Sequence, residues 1–117
     1  MNNLKIVKVT NDYIIFDNGY KLTSEHERDC CEDHYLSFEH LTLEECADLE
    51  FDFSNDDFLE KIDGYGIALK PIKGHPIRVC GYGNNNGYYS TNLTLVIMDS
   101  IGKNVKTYDI SECQDIN

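Results

Sequence analysis

The densest chemistry in this chain lies between His26 and His34, where nine positions read His-Glu-Arg-Asp-Cys-Cys-Glu-Asp-His. Two imidazoles, two adjacent thiols and four carboxylates fall within that stretch. Imidazole and thiolate are the ligands that zinc prefers, and a thiol beside an imidazole can also act as a nucleophile. His26, Cys30, Cys31 and His34 are therefore the candidate metal ligands, four donors for one tetrahedral ion. The spacing departs from the usual structural zinc pattern, in which ligand pairs are well separated along the chain. Adjacent cysteines reach one ion only through a sharp backbone bend, so Cys80 or Cys113 is a further ligand that folding could bring in. Nucleophilic catalysis is disfavoured, because the surrounding carboxylates raise a thiol pKa and weaken the attacking group. No catalytic residue is assigned, no resident cofactor is expected, and zinc is the one alternative.

The carboxylates of this stretch belong to a larger acidic segment. The chain carries a formal net charge of −11. Residues 25–63 hold fifteen Asp and Glu against Arg28 and Lys61, a net −13, while the remainder has six acids and eight bases. Such a chain is a poor direct ligand for nucleic acid, whose phosphates need Lys and Arg. A solvated acidic face that keeps the protein soluble is the plain reading. The sharper one is a surface that meets a basic protein partner. Glu32, Asp33, Glu44, Glu45 and Asp48 are the acidic partner-binding candidates. Tyr88 joins them, since Tyr82, Tyr88 and Tyr89 flank an Asn-rich turn and amphipathic rings suit recognition.

These groups need elements to hold them. With 117 residues the chain has room for one domain, residues 1–117. A composition of 41% apolar and 26% charged residues is that of a folding chain. No apolar run reaches the roughly 20 residues of a membrane span, and Met1–Lys5 lacks the apolar region of a signal peptide. A cytoplasmic protein is expected. Five cysteines in that compartment are expected to be free thiols.

Local pattern predicts mostly strand. Leu4–Val9 and Tyr13–Phe16 are short β-branched or aromatic runs, and Asn18-Gly19 is a hairpin signal before a return strand at Tyr20–Thr23. The His26–His34 stretch reads as a loop or strand edge, with Tyr35–Phe38 able to continue as strand. Thr42 and Glu45 have capping-box spacing, which predicts a helix over Leu43–Leu49 with Leu43, Cys46 and Ala47 inward. The pattern returns to β from Phe58, with a strand core at Ile67–Leu69 and a strand at Ile77–Tyr82. Gly83–Gly87 reads as a hairpin loop; it lacks the helix and Lys-Ser/Thr of a phosphate loop, so phosphate binding is excluded. Tyr88–Met98 is the longest expected strand, with Leu93, Leu95 and Ile97 on one face, and Asn104–Ile110 returns from it. Ser111–Asn117 is polar and expected to fray. The expected class is α+β, mostly β: an antiparallel sheet of about six or seven strands with one short helix. An uncovered sheet edge would give a route to a homodimer.

Two motifs add context. Glu25–Glu32, containing His-x₃-Cys-Cys-Glu, and Ile77-Arg78 through Asn86-Gly87-Tyr88-Tyr89-Ser90 resemble, in order and separation, an uncharacterised family of small bacterial and phage proteins. The resemblance implies a phage, prophage or bacterial origin. It marks His26, Cys30, Cys31, Glu32, Gly87, Tyr88 and Tyr89 as signature positions, and it implies no activity. This chain departs from the family at Val79-Cys80, where an aromatic is usual, and His34 is not part of the signature. Together these observations lead to a small acidic non-enzymatic interaction protein, in the manner of a phage-borne inhibitor of a host nucleic-acid-handling enzyme. The alternative is a zinc-binding structural module built on His26, Cys30 and Cys31.

Overall fold

The structure, a computed structural model, describes residues 3–26, 33–84 and 92–116. Along the chain run β1 (Leu4–Val9), β2 (Tyr13–Phe16), β3 (Lys21–Glu25), β4 (Asp33–Ser37), α1 (Leu43–Cys46) and β5 (Glu50–Phe51). They are followed by β6 (Leu59–Ile62), β7 (Gly66–Leu69), β8 (Ile77–Asn84), β9 (Thr94–Met98), β10 (Asn104–Asp109) and β11 (Asp115–Ile116). The class is the expected mostly-β α+β, but the strands divide between two sheets.

The first sheet is antiparallel, in the order β10-β9-β3-β2-β1-β5. Its β2–β3 hairpin forms at Asn18-Gly19 as expected. Gly19 takes φ +88°, which favours glycine, and Asn18 Oδ1 accepts the Tyr20 N–H at 3.0 Å. In the second sheet β7 and β4 flank β8 antiparallel and β6 lies outside β7. β11 adds a parallel pairing at Tyr82 and Gly83 of β8.

Inward side chains of the two sheets share one core. Phe16, Phe51, Phe53 and Phe58 meet edge to face, with Phe53 4.9 Å from Phe16 and 4.7 Å from Phe58. Each such fully buried side chain contributes about 1.5–3 kcal/mol relative to exposure. Leu93, Leu95 and Ile97 are all fully buried, as the period-two pattern requires. No helix among the described residues is long and apolar enough to cross a membrane.

Four expectations are corrected. β8 and β9 are not a hairpin, because β9 pairs with β3 and β10 in the other sheet. Gly83 lies within β8 and not in a turn. The C-terminal stretch does not fray: Cys113 and Gln114 are buried and β11 is a strand. A side chain at Gly81 would meet the Cys113 carbonyl, so the missing Cβ is what lets the tail lie against β8. Finally, α1 is one turn and stops at Cys46. Thr42 caps it, accepting the Glu45 N–H at 3.2 Å, and Cys46 is buried as expected, but Leu43 is 44% exposed. The chain must leave the helix at once to bury Leu49 and Phe51, so a second inward turn has no room to form.

Candidate functional site at the His26–His34 corner

Strand register brings the two histidines together. β3 ends at Glu25, paired with Thr94 of β9, and His26 follows. β4 begins at Asp33, paired with Asn84, which places His34 opposite Gly83. The two strands also touch through the Leu36 N–H, which donates to Ser24 Oγ at 3.0 Å. The imidazole rings of His26 and His34 lie 4.6 Å apart between centroids and meet edge to face at 62°.

His34 points inward because it shares the inner face of β4 with Leu36, while Tyr35 between them points out. It is only 3% exposed. Burial of a polar ring demands a partner, and Gln114 supplies it: His34 Nδ1 and Gln114 Oε1 are 2.6 Å apart. The Gln114 amide is itself oriented, since its Nε2 donates to the Ser111 carbonyl at 2.7 Å. With that amide nitrogen committed, the oxygen faces His34, and Nδ1 must be the ring nitrogen that carries the proton. Space for the pair comes from glycine, because a Cβ at Gly83 would stand 2.5 Å from His34 Nδ1 and 2.7 Å from Gln114 Oε1.

His26 is half-buried and held in the same manner. Its Nδ1 lies 2.5 Å from the Asn92 backbone oxygen and 3.1 Å from Asn92 Oδ1. Two oxygen acceptors require a donor, so Nδ1 is protonated here too. Both imidazoles are thus held at Nδ1 by oxygen acceptors.

Of the expected metal ligands, the structure thus brings His26 and His34 together. Cys30 and Cys31 lie outside the described residues. Among the described residues no group of three or more His, Cys, Asp and Glu could hold a metal ion. Cys113 is buried, and burial pushes its thiol pKa up, as it does for Cys46; such thiols are poor thiolate donors.

The partner-binding candidates divide. Glu32 and Tyr88 lie outside the described residues, and Asp33 opens β4. Glu44, Glu45 and Asp48 are exposed around α1; Asp48 lies four residues after Glu44 and three after Glu45, which puts them on one side of the turn, while Cys46 and Leu49 face the core. α1 packs on β1, whereas the histidine corner is built from β3, β4, β8 and the C-terminal stretch. Tyr82 stands on the outer face of β8 beside Tyr35, with ring centroids 5.9 Å apart.

Sequence reasoning missed Gln114, Asn92 and the role of Gly81 and Gly83. The glycine spacing was the available signal, since alternate glycines in a strand mark one face that something approaches closely. Nothing in the sequence marks Gln114 or Asn92. Comparison with known proteins finds no matching family model, no matching curated sequence and no matching solved structure.

Proposed function

We propose that this chain is a small acidic interaction protein of bacterial or phage origin. It has no catalytic role and binds a basic protein partner in the cytoplasm through the face around α1. The observation that carries this reading is the state of Glu44, Glu45 and Asp48. All three are exposed on one side of the turn, and no ion pair among the described residues includes them. By contrast Glu50 is bridged by Lys73 at 3.4 Å and Asp56 by Lys106 at 3.6 Å. Uncompensated carboxylates project a field that attracts a basic surface and speeds its approach. Enzymes that handle nucleic acid present such a surface to phosphate. An acidic protein of this size would compete for it, which fits an inhibitor of a host enzyme. The likeness of the two sequence motifs to small phage proteins adds to this reading.

The test is affinity capture from a bacterial lysate on the full chain, beside the variant E44Q/E45Q/D48N. A basic protein retained at low salt, released as salt shortens the screening length below about 10 Å, and lost on the variant is the expected result. A partner held equally by the variant, or indifferent to salt, would count against the reading.

A further inference from the structure

We propose that this chain associates with itself head to tail, the lysine-bearing outer face of the first sheet receiving the acidic α1 turn of a second copy. The inference goes beyond the reading above, because it assigns an occupant to a face which that reading leaves unused; the two share only the carboxylates of α1. Strand register builds the face. Leu22, Leu95 and Ile97 point into the core, so their neighbours along each strand point out. Lys8, Ile15, Lys21 and Met98 stand side by side across β1, β2, β3 and β9, with Tyr13, Thr23 and Val96 in the next row. A bulge in β1 between Ile6 and Lys8 turns Val7 out as well, and its side chain is half exposed. The Lys8 and Lys21 ammonium groups lie 5.9 Å and 4.7 Å from the centroid of the Tyr13 ring. No ion pair among the described residues includes either lysine. Within the rows of paired strands the outward carboxylates are Glu25 and Asp109, two rows from the lysines. Two cations gathered on one aromatic ring thus leave a positive patch on a chain of net charge −11, and an anionic group would neutralise it.

The chain itself carries the matching surface. Glu44, Glu45 and Asp48 are exposed on one side of α1 without an ion pair among the described residues. Leu43 beside them is also exposed, an apolar group to set against Val7 and Ile15 where the carboxylates meet the lysines. Within one chain the two sets stand apart. Cys46 seats α1 on the core, while Lys8 and Lys21 lie on the sheet face turned away from it. The contact is therefore between copies, and it joins two different faces. Such a heterologous contact gives open chains of molecules unless its rotation closes a ring.

The experiment is sedimentation of the full chain over a range of concentrations, at low and at high salt, beside K8Q/K21Q and E44Q/E45Q/D48N. The parent is expected to grow in mass with concentration at low salt and to return to monomer as salt shortens the screening length. Each variant is expected to self-associate about two- to thirtyfold more weakly, the worth of two exposed ion pairs. Circular dichroism confirms that both are folded. Mixing decides the mode of contact. At concentrations where each variant alone is monomeric, the two together are expected to form one-to-one dimers and nothing larger, because a single matched pair of faces remains. A parent that stays monomeric at low salt at every concentration overturns the proposal. So does a K8Q/K21Q chain that associates as the parent does, or a mixture no heavier than its components. A monomeric parent whose lysine face retains an acidic protein would put a foreign partner there in place of a second copy. K8Q/K21Q is expected to hold any basic protein captured from a lysate as the parent does. Self-association is thus lost with either variant and a basic partner only with E44Q/E45Q/D48N, which keeps the two readings separable.

Discussion

The turn around α1 and the corner around His26 and His34 are both rich in polar groups, yet they are built by opposite means. Around α1 the carboxylates of Glu44, Glu45 and Asp48 stand in water on a single helical turn, held only by local geometry and one cap. At the corner a ring that is 3% exposed depends on a glutamine 80 residues away, and its neighbour on an asparagine 66 residues away. The first region can act only through its field, which is screened by salt and tolerant of small shifts. The second can act only through geometry, which a single misplaced methyl group disturbs. The contrast shows where each region is vulnerable.

The strongest way to break the contrast is to fill the space on which the corner depends. Gly81→Ala would put a Cβ 2.2 Å from the Cys113 carbonyl, against backbone that cannot swing aside. We expect a loss of about 3 kcal/mol, the upper part of the range for overpacking, read from urea unfolding. An unchanged midpoint would mean that the C-terminal stretch does not lie on β8.

Thr42→Ala is the matching change at the other region. It removes the acceptor for the Glu45 N–H and should cost about 1 kcal/mol. A loss equal to that of Gly81→Ala would erase the distinction between a locally held turn and a globally held corner.

The smallest expected effect is in the acid limb of stability. Asp109 accepts from the Ser111 hydroxyl at 2.6 Å and from the Ser111 N–H at 3.0 Å, and these bonds hold its carboxyl below the ordinary value. Ser111 in turn places the carbonyl that orients Gln114. A carboxyl lowered on folding adds stability above its unfolded value, and that stability is lost as pH falls through the folded value. The chain should therefore lose stability as pH falls below the ordinary carboxylate range, and Asp109→Asn should make that loss shallower. Asp56 is lowered as well, chiefly by the Tyr108 hydroxyl at 2.6 Å, so some slope will remain. An Asp109→Asn profile parallel to the parent at every pH would remove Asp109 from the account. Burial, with the Asp56 bond second, pushes the Tyr108 hydroxyl well above its usual pKa, so this contact stays donor to acceptor throughout the neutral range.

Much of the fold was legible because it is local. The bounds of β1 and β2 follow from runs of β-branched and aromatic residues, the β2–β3 hairpin from Asn18-Gly19, and the start of α1 from Thr42 and Glu45. Alternation put Leu93, Leu95 and Ile97 in the core. The partition into two sheets was not legible, because period two says which face of a strand is buried and nothing about which strand lies beside it. That is why β8 and β9, adjacent in sequence, read as a hairpin and belong to different sheets.

The candidate site divides along the same line. The sequence by itself determined the acidic segment, the capped turn that displays part of it and the two imidazoles as chemically notable groups, since charge, caps and side-chain type need no partner to be read. Tertiary structure alone decided that His26 and His34 touch, that both are pinned at Nδ1, and that Gly81 and Gly83 make room for a buried tail. The physical reason is that a buried polar ring must find its hydrogen bond wherever packing brings an acceptor. Packing found those acceptors at Asn92 and Gln114, distant in the chain and ordinary in type.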